Sequence, residues 1–139
     1  SKDFVFLING SLTINTEVHV PNTSTALFTA LNDITIGSGI GETVSTSKRI
    51  NLEGWYSAGE DFIILGSATC PTAADRRLNV AGAIVVNAEL KGGSFLNQRD
   101  LCAGNTSCPV FYIVERPDFT LNAPAFLQAA PRIWQEVAP

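Results

Sequence analysis

Methionine is absent from this chain of 139 residues, and charged residues are scarce at 16% of the sequence. Folded domains usually carry charge at about a quarter of their positions, so short uncharged polar side chains form much of this surface. A surface of that kind is common in secreted β proteins and less common in cytosolic enzymes. Because position 1 is not methionine, we expect Ser1 to begin a processed chain or an excised fragment.

Basic clusters, long apolar runs and catalytic motifs are also missing. The nine basic residues are scattered, whereas a face that binds nucleic acid needs clustered positive charge. No apolar run approaches the roughly 18 residues that span a bilayer. The chain contains no GxSxG, HExxH or phosphate-binding loop. We therefore expect no nucleic-acid partner, no membrane insertion and no enzymatic activity.

The residues that could serve in an active site are few and belong to no recognisable catalytic motif. His19 is the one imidazole, and its place between two valines predicts an exposed position on a strand. Glu60 or Asp61 together with Asp75 is a candidate carboxylate pair for glycoside hydrolysis, a chemistry that some β-helices host. Carboxylates in glycine-bounded loops are more often solvated, so we predict no catalytic residue.

Three cysteines leave one thiol over in any disulfide pairing. A bond between Cys102 and Cys108 would close a short loop with Gly and Asn at its centre, which suits an oxidising compartment. The alternatives join Cys70 to Cys102 or to Cys108 and connect more distant segments. A metal site is disfavoured, because the chain has no CxxC motif and its histidine is remote. We predict the Cys102–Cys108 disulfide and no bound metal or other cofactor.

The fold prediction depends on residues 78–90, a run of small and β-branched apolar residues typical of a buried strand or a stacked coil. Aligning Asn9-Gly10, Asn32-Asp33, Glu53-Gly54 and Ala81-Gly82 gives steps of 23, 21 and 28 residues. Repeats of about 20 to 30 residues with short strands and Gly or Asn corners indicate a β-solenoid. We therefore predict an all-β fold, a β-helix-like solenoid with irregular rungs. An antiparallel β-sandwich is the alternative, because it also has short strands at close spacing.

Residues 116–139 differ from the repeats. Pro117, Pro124 and Pro131 prevent continued strand pairing, and nearby aromatic residues are suited to lie across the last rung. Natural proteins cover exposed strand edges to prevent uncontrolled pairing. We predict a β-rich repeat domain at residues 1–115 and a capping tail of the same domain at 116–139.

The order GAIVVNA, NQRDL, RPDFTLNAP and IWQEVAP within residues 78–139 resembles the C-terminal region of large uncharacterised bacterial surface proteins, secreted or associated with pili. The resemblance implies β-rich rungs that end in an aromatic tail. It also implies a secreted or cell-surface location, and it implies no activity. The pair Cys102 and Cys108 departs from it.

Aromatic residues are the candidates for contact with a ligand. Trp55, Tyr56 and Trp134 are suited to stacking on a sugar or on a protein partner, although packing within the fold is the commoner use of such residues. A glycan is the ligand class that they suit.

A strongly apolar strand near the start of the chain is the candidate for assembly. It consists of Phe4, Val5, Phe6, Leu7 and Ile8. Such a strand needs cover, either from its own core or by strand addition from another copy, which can repeat into a filament.

Together these features predict a structural or adhesive module, extracellular or on the cell surface, such as a fibre or pilus-like subunit. We expect it to form a homo-oligomer or a larger surface assembly. The alternative is a carbohydrate-binding or carbohydrate-active protein on a β-helix scaffold. Two carboxylates about 5 to 9.5 Å apart in a groove with an aromatic wall would favour the catalytic form.

Overall fold

The computed structural model describes residues 2–123, which are mostly β. In chain order the strands are β1 (Asp3–Ile8), β2 (Leu12–Ile14), β3 (Thr25–Ala30), β4 (Ile34–Ile36), β5 (Leu52–Ala58), β6 (Phe62–Ile64), β7 (Leu78–Val85), β8 (Phe95–Asn97) and β9 (Phe111–Val114). A 3-10 helix covers Cys102–Thr106, and the helix α1 covers Pro117–Leu121. Among these residues, no helix is long and apolar enough to cross a membrane.

The strands alternate between two sheets, and each pairs in parallel with the strand two places along the chain. The five-stranded sheet has the order β1-β3-β5-β7-β9, and the four-stranded sheet has the order β2-β4-β6-β8. We use the word layer for one strand of the first sheet together with the next strand of the chain, so that β1 and β2 form the first layer and β7 and β8 the fourth. Hydrogen bonds between neighbouring layers join residues 22, 28 and 33 positions apart.

The predicted β-solenoid is wrong, and so is the alternative antiparallel sandwich. All strand pairing within both sheets is parallel, which excludes the sandwich. Over residues 2–123 the sheets do not close into a solenoid or a barrel. The physical reason is that the long connections at 15–24, 37–51, 65–77 and 98–110 are held by turns and side chains, and they form no third sheet.

The predicted repeat alignment agrees with the structure at one step. Gly54 pairs with Gly82 in the register of β5 and β7. Gly10 occupies a different position in the layer, because its carbonyl accepts the amide of Asn32, whose carbonyl in turn accepts the amide of Glu60. Glycine and asparagine corners occur at both ends of these strands, so the dipeptides alone do not fix the register.

The main core lies between the two sheets. Alternation in β5 buries every second residue, as expected for a strand with one face on the core. The buried cluster contains Ile14, Ala30, Ile34, Ile36, Ile40, Leu52, Tyr56, Ala58, Phe62, Ile64, Leu78 and Val80. Burial of each large apolar side chain contributes roughly 1.5–3 kcal/mol, so this shared cluster is the main force between the sheets.

A buried arginine fixes three of the connections. Arg99 is 6% exposed and donates to the carbonyl oxygens of Gly37, Leu65 and Arg76 at 2.9 to 3.1 Å. Burial lowers the pKa of Arg99 to about 10, so the guanidinium is still charged at neutral pH. Its fork of N–H donors is suited to this task, because one side chain satisfies three carbonyl groups.

Cys102 is bonded to Cys70, and Cys108 is free, which corrects the predicted pairing of Cys102 with Cys108. The physical reason is the stacking of two corners. The carboxylate of Asp75 accepts the amide of Asp100, and the amide of Asp75 donates to the carbonyl of Asp100. These bonds bring the two cysteines to a Cα–Cα distance of 5.5 Å, which a disulfide requires.

The described part of the predicted capping tail, residues 116–123, runs back along the first layers. Phe119 of α1 is fully buried against Val20, and its ring meets that of Trp55 edge-on with centroids 6.1 Å apart. This part of the tail therefore covers the side of the sheet. The prediction that residues 124–139 cap the last strands lies outside the described residues.

The paired glycines of the five-stranded sheet give a prediction about stability. Gly82 has φ of +143°, and a Cβ at this position would overlap the carbonyl oxygen of Gly54. We expect Gly82→Ala to lower the free energy of unfolding by roughly 2–4 kcal/mol, because the backbone must shift and keep an unfavourable φ. Gly39→Ala is the control, since nothing lies within 4 Å of its added Cβ. Equal losses in urea unfolding of the two variants would contradict the register.

The disulfide gives a second prediction. Cys70 and Cys102 are 32 residues apart, and a cross-link over that distance contributes about 3–4 kcal/mol by restricting the unfolded chain. We expect Cys102→Ser to lose about that much in chemical unfolding and Cys108→Ser to lose little. Thiol labelling of the unfolded wild type without reductant should modify Cys108 alone. Labelling of all three cysteines would refute the bond.

Candidate interaction edge

β1 is the outermost strand of the five-stranded sheet, and within residues 2–123 it pairs only with β3. Its side chains are apolar but exposed: Phe4 and Phe6 are each 45% exposed, and Leu7 is 78% exposed. β2 is the outermost strand of the other sheet at the same end. Unpaired N–H and C=O groups on such a strand are a template for pairing with another strand. The residues predicted as an assembly strand therefore lie in an open edge.

An aromatic column leads from this edge into the core. Phe6 stacks on Phe28 with ring centroids 4.9 Å apart, and Phe28 stacks on Tyr56 at 5.2 Å. The hydroxyl of Tyr56 donates to the carbonyl oxygen of Glu53, and burial raises the pKa of Tyr56, which keeps the group protonated. At its inner end the column is buried at Tyr56, and at its outer end it finishes with the exposed ring of Phe6. The edge thus presents an aromatic surface on which a further strand can pack.

A cavity of about 220 Å³ opens beside the column. Its walls are Phe4, Phe6, Val18, His19, Val20, Pro21, Ala26 and Phe28. His19 is exposed, as predicted, but it lies in the connection between β2 and β3 and not on a strand. It is the one polar side chain in an otherwise apolar lining. In strand addition, main-chain hydrogen bonds give affinity, and pockets for alternate side chains give specificity. The cavity supplies such a pocket next to the open edge.

A row of ion pairs borders the cavity. Arg49 donates to both carboxylate oxygens of Glu17, at 2.6 and 2.8 Å, and also to Glu42. His19 lies between two carboxylates, with Nε2 3.2 Å from Glu17 and Nδ1 3.9 Å from Glu53. The row therefore places charged groups along one side of an apolar edge.

The row ends at the tail. Arg116 lies 3.1 Å from Glu53, pairs with Asp118 at 2.6 Å, and places its guanidinium 4.2 Å from the ring centroid of Phe119. A planar guanidinium can make ion pairs in its plane while its face lies on an aromatic ring. These contacts attach the start of the tail to the side of the first layers.

Hydrogen bonds keep the carboxylates of Glu17 and Glu42 ionised. Donation from Arg49, with a smaller effect from Asn51, lowers the pKa of Glu17 to about 2. Burial opposes ionisation of Glu42, but hydrogen bonds from Asn51 and Arg49 outweigh it and lower that pKa as well. A general acid for glycoside hydrolysis needs a raised pKa. Glu17 and Glu42 do not meet that requirement.

The carboxylates singled out in the sequence as a glycosidase pair hold the backbone instead. Asp75 accepts hydrogen bonds from Ser67 and Asp100, which lower its pKa against the opposing effect of burial. Asp61 accepts the amide of Ser94 in the next layer at 2.7 Å. Glu60 contributes its carbonyl oxygen to the same corner. Asp61 and Asp75 therefore have a structural role at the corners of the layers.

The three aromatic residues predicted to contact a ligand have different surroundings. Tyr56 is 1% exposed and belongs to the core, so it presents no contact surface. Trp55, together with Thr29, Ser57 and Val85, lines a groove of about 300 Å³ on the outer face of the five-stranded sheet. Neighbouring residues of a strand face opposite sides, so Trp55 and Tyr56 of β5 diverge. Trp134 lies outside the described residues.

The cysteines offer little to a metal ion. The sulfur atoms of Cys70 and Cys102 lie within 4.8 Å of a carboxylate oxygen of Asp100. Because the sulfurs are bonded to each other, this group lacks the free thiolates that bind zinc.

Sequence reasoning did not identify the row of ion pairs. Glu17 and Arg49 are 32 residues apart and lie in two connections that have no periodic pattern. They meet only because the connection that follows β2 stacks on the connection that follows β4, where Val18 exchanges backbone hydrogen bonds with Asn51 and Glu53. No local signal in the sequence joins them.

Comparisons of the chain with protein-family models, with curated proteins and with solved structures find no match. The resemblance of residues 78–139 to bacterial surface proteins therefore stays a prediction.

The ion pairs predict how stability depends on pH. Glu17 has a pKa of about 2 in the folded state against an ordinary value of 4.5, so the unfolded chain binds more protons between these values. Stability from Glu17 is therefore complete above about pH 4.5 and is lost as the pH falls toward 2. We expect Glu17→Gln to make the free energy of unfolding fall less steeply with decreasing pH in this range. Glu89→Gln is the control: it removes an exposed carboxylate outside the row and should leave the steepness unchanged. Identical slopes for wild type and Glu17→Gln would refute the assignment, and added salt should weaken the effect in wild type.

Proposed function

We propose that this protein is an extracellular structural or adhesive module that joins to a second copy of itself through the open strand β1. The observation that supports the proposal is a run of four exposed apolar side chains on a strand that, within residues 2–123, is unpaired along one edge. Their exposed fractions are 45% for Phe4, 36% for Val5, 45% for Phe6 and 78% for Leu7.

Among the described residues, β1 carries none of the usual protection against pairing. Natural edge strands carry lysine, proline, a bulge or an inward-pointing charge. The one charged side chain within β1 is that of Asp3, and its carboxylate accepts the hydroxyl of Thr25 at 2.8 Å. Asp3 thus stabilises the register of β1 on β3 and leaves residues 4–8 open to a partner.

A second copy is the partner that best fits this edge. Every strand already stacks in parallel on the strand of the neighbouring layer, so a further layer from another copy would repeat the same geometry. The Cys70–Cys102 disulfide is compatible with the oxidising compartment that an extracellular protein occupies. The low charge content also agrees with a surface adapted to assembly.

A carbohydrate-binding role is the second candidate, and the outer groove supports it. Trp55 provides an aromatic wall there, and Thr29 and Ser57 add hydroxyl groups that can hydrogen-bond a sugar. This groove and the β1 edge are different surfaces, so a variant of the edge separates the two roles.

Placing a charge on the edge tests the proposal. We expect Leu7→Lys to weaken self-association about tenfold or more, because an ammonium buried against apolar neighbours costs more than the roughly 1.4 kcal/mol that corresponds to tenfold. Light scattering after size exclusion, over a range of concentrations, measures the effect. Leu121→Lys is the matched control, since Leu121 is 80% exposed and lies in α1 and not in β1. A wild-type protein that is monomeric at every concentration, or equal effects of both lysines, would rule the proposal out.

A further inference from the structure

β7 is covered over only half of its length. β9 pairs with residues 78–81 of β7, ends at Val114 and is followed by Pro117, where α1 begins. The burial of β7 changes at the same point: residues 78–82 are buried, whereas Ala83 and Val85 are exposed. Within residues 2–123, the strand edge of 82–85 has no partner beyond β5.

This open half of β7 lies in register with β1, at the opposite end of the sheet. The inward-facing column consists of Phe6, Phe28, Tyr56 and Ile84, and the next, outward-facing column consists of Leu7, Thr29, Ser57 and Val85. The two ends of the outward-facing column are apolar and exposed, with Leu7 at 78% and Val85 at 51%. The sheet therefore begins and ends on surfaces that complement each other.

We infer that the open half of β7 is the acceptor for β1 of the next copy, which deepens the proposed function and rests on it. In this register, Phe6 of the incoming strand packs on Ile84, and Leu7 packs on Val85. β9 and the incoming β1 share one layer end to end, because β9 stops at Val114 above Ala81. In this register residues 4–7 of the incoming strand lie beside residues 82–85 of β7, which β9 leaves open. Asp3 alone among the residues of β1 falls beside Ala81, which Val114 already pairs with, so Asp3 of the incoming copy stays outside the new ladder.

The four-stranded sheet independently supports the same register. β8 is its outermost strand at this end, and all three of its residues are exposed. Leu12 pairs with Ile34, Ile34 with Phe62, and Phe62 with Phe95, so the same step places Leu12 of the next copy on Phe95. Phe95 is 42% exposed and Leu96 39% exposed, and β2 of the incoming copy covers both. A single step of one layer thus continues both sheets.

The contact is head to tail, because it joins different surfaces of the two copies. A heterologous contact of this kind leaves one donor strand and one acceptor strand free at the ends of any dimer. The same step repeats, so the assembly grows into a filament unless a rotation closes it into a ring.

A pair of cysteines tests the register. Leu7→Cys and Val85→Cys are made separately in a Cys108→Ser background and then mixed under mild oxidation. Neighbouring strands are about 4.8 Å apart, which permits a disulfide between the two positions. We expect a cross-linked dimer of the two variants. Leu7→Cys mixed with Ala83→Cys is the matched control, because Ala83 lies two residues along the same face, about 8 Å away, and the cross-link should be lost.

The outcomes separate this inference from the proposed function. If Leu7→Lys abolishes assembly but Leu7→Cys does not cross-link to Val85→Cys, β1 is the assembly strand, and the assignment of β7 as its acceptor is wrong. If wild type never associates, the proposed function fails and the inference fails with it. An equally strong cross-link at Ala83 refutes the register. If association appears only after residues 124–139 are removed, that segment, and not a second copy, would be what covers β7 in the intact chain, and the inference would be overturned.

Discussion

Parallel pairing between strands of successive layers is the interaction on which the rest of this structure depends. Each of the four layers contributes a strand of six to eight residues to one sheet and a strand of three residues to the other. Neither strand can bury its apolar face without the strands of the neighbouring layers and the opposite sheet. Tyr56 and Phe62 become fully buried because layers stack above and below them while the second sheet closes the core. The contacts are consequently long-range in sequence, which makes such a fold slow to form relative to one built from local contacts. Once formed, every layer stabilises its neighbours.

The same stacking forces polar groups into the interior. The long connections between layers carry backbone N–H and C=O groups that need partners. Asn51 and Asn79, both fully buried, meet this need as a ladder: the side chain of Asn51 accepts the amide of Asn79, and the side chain of Asn79 donates to the carbonyls of Ser47 and Arg49. Arg99, from the connection at 98–110, does the same for carbonyl groups of the connections at 37–51 and 65–77. These few polar residues define the path of the chain where no strand ladder does.

A stack of layers also has two ends, and here both ends are apolar. A closed barrel has no edges, and many open sheets protect theirs with charge. This protein leaves β1 and β2 open at one end and half of β7 with β8 open at the other, within the part of the chain that the structure describes. The row of ion pairs from Glu42 to Asp118 lies beside the first end and leaves it uncovered. The geometry that builds the core is therefore the geometry that a second copy can extend, which is why the proposed role is structural.

The sequence by itself determined the mostly-β content, the apolar strand at 4–8, the buried strand that begins at 78 and the presence of a disulfide, because each has a local pattern of residue types. It did not determine how the strands pair: glycine and asparagine corners suggested closed rungs, yet only the register shows that Gly10 stacks below Asn32 and Gly54 below Gly82. Cys102 meets Cys70 for the same reason, since the partner of a cysteine depends on which corners stack. Glu17 and Arg49, 32 residues apart, likewise meet only across layers. Tertiary structure alone decided these contacts, because parallel stacking joins residues that no short stretch of sequence contains together.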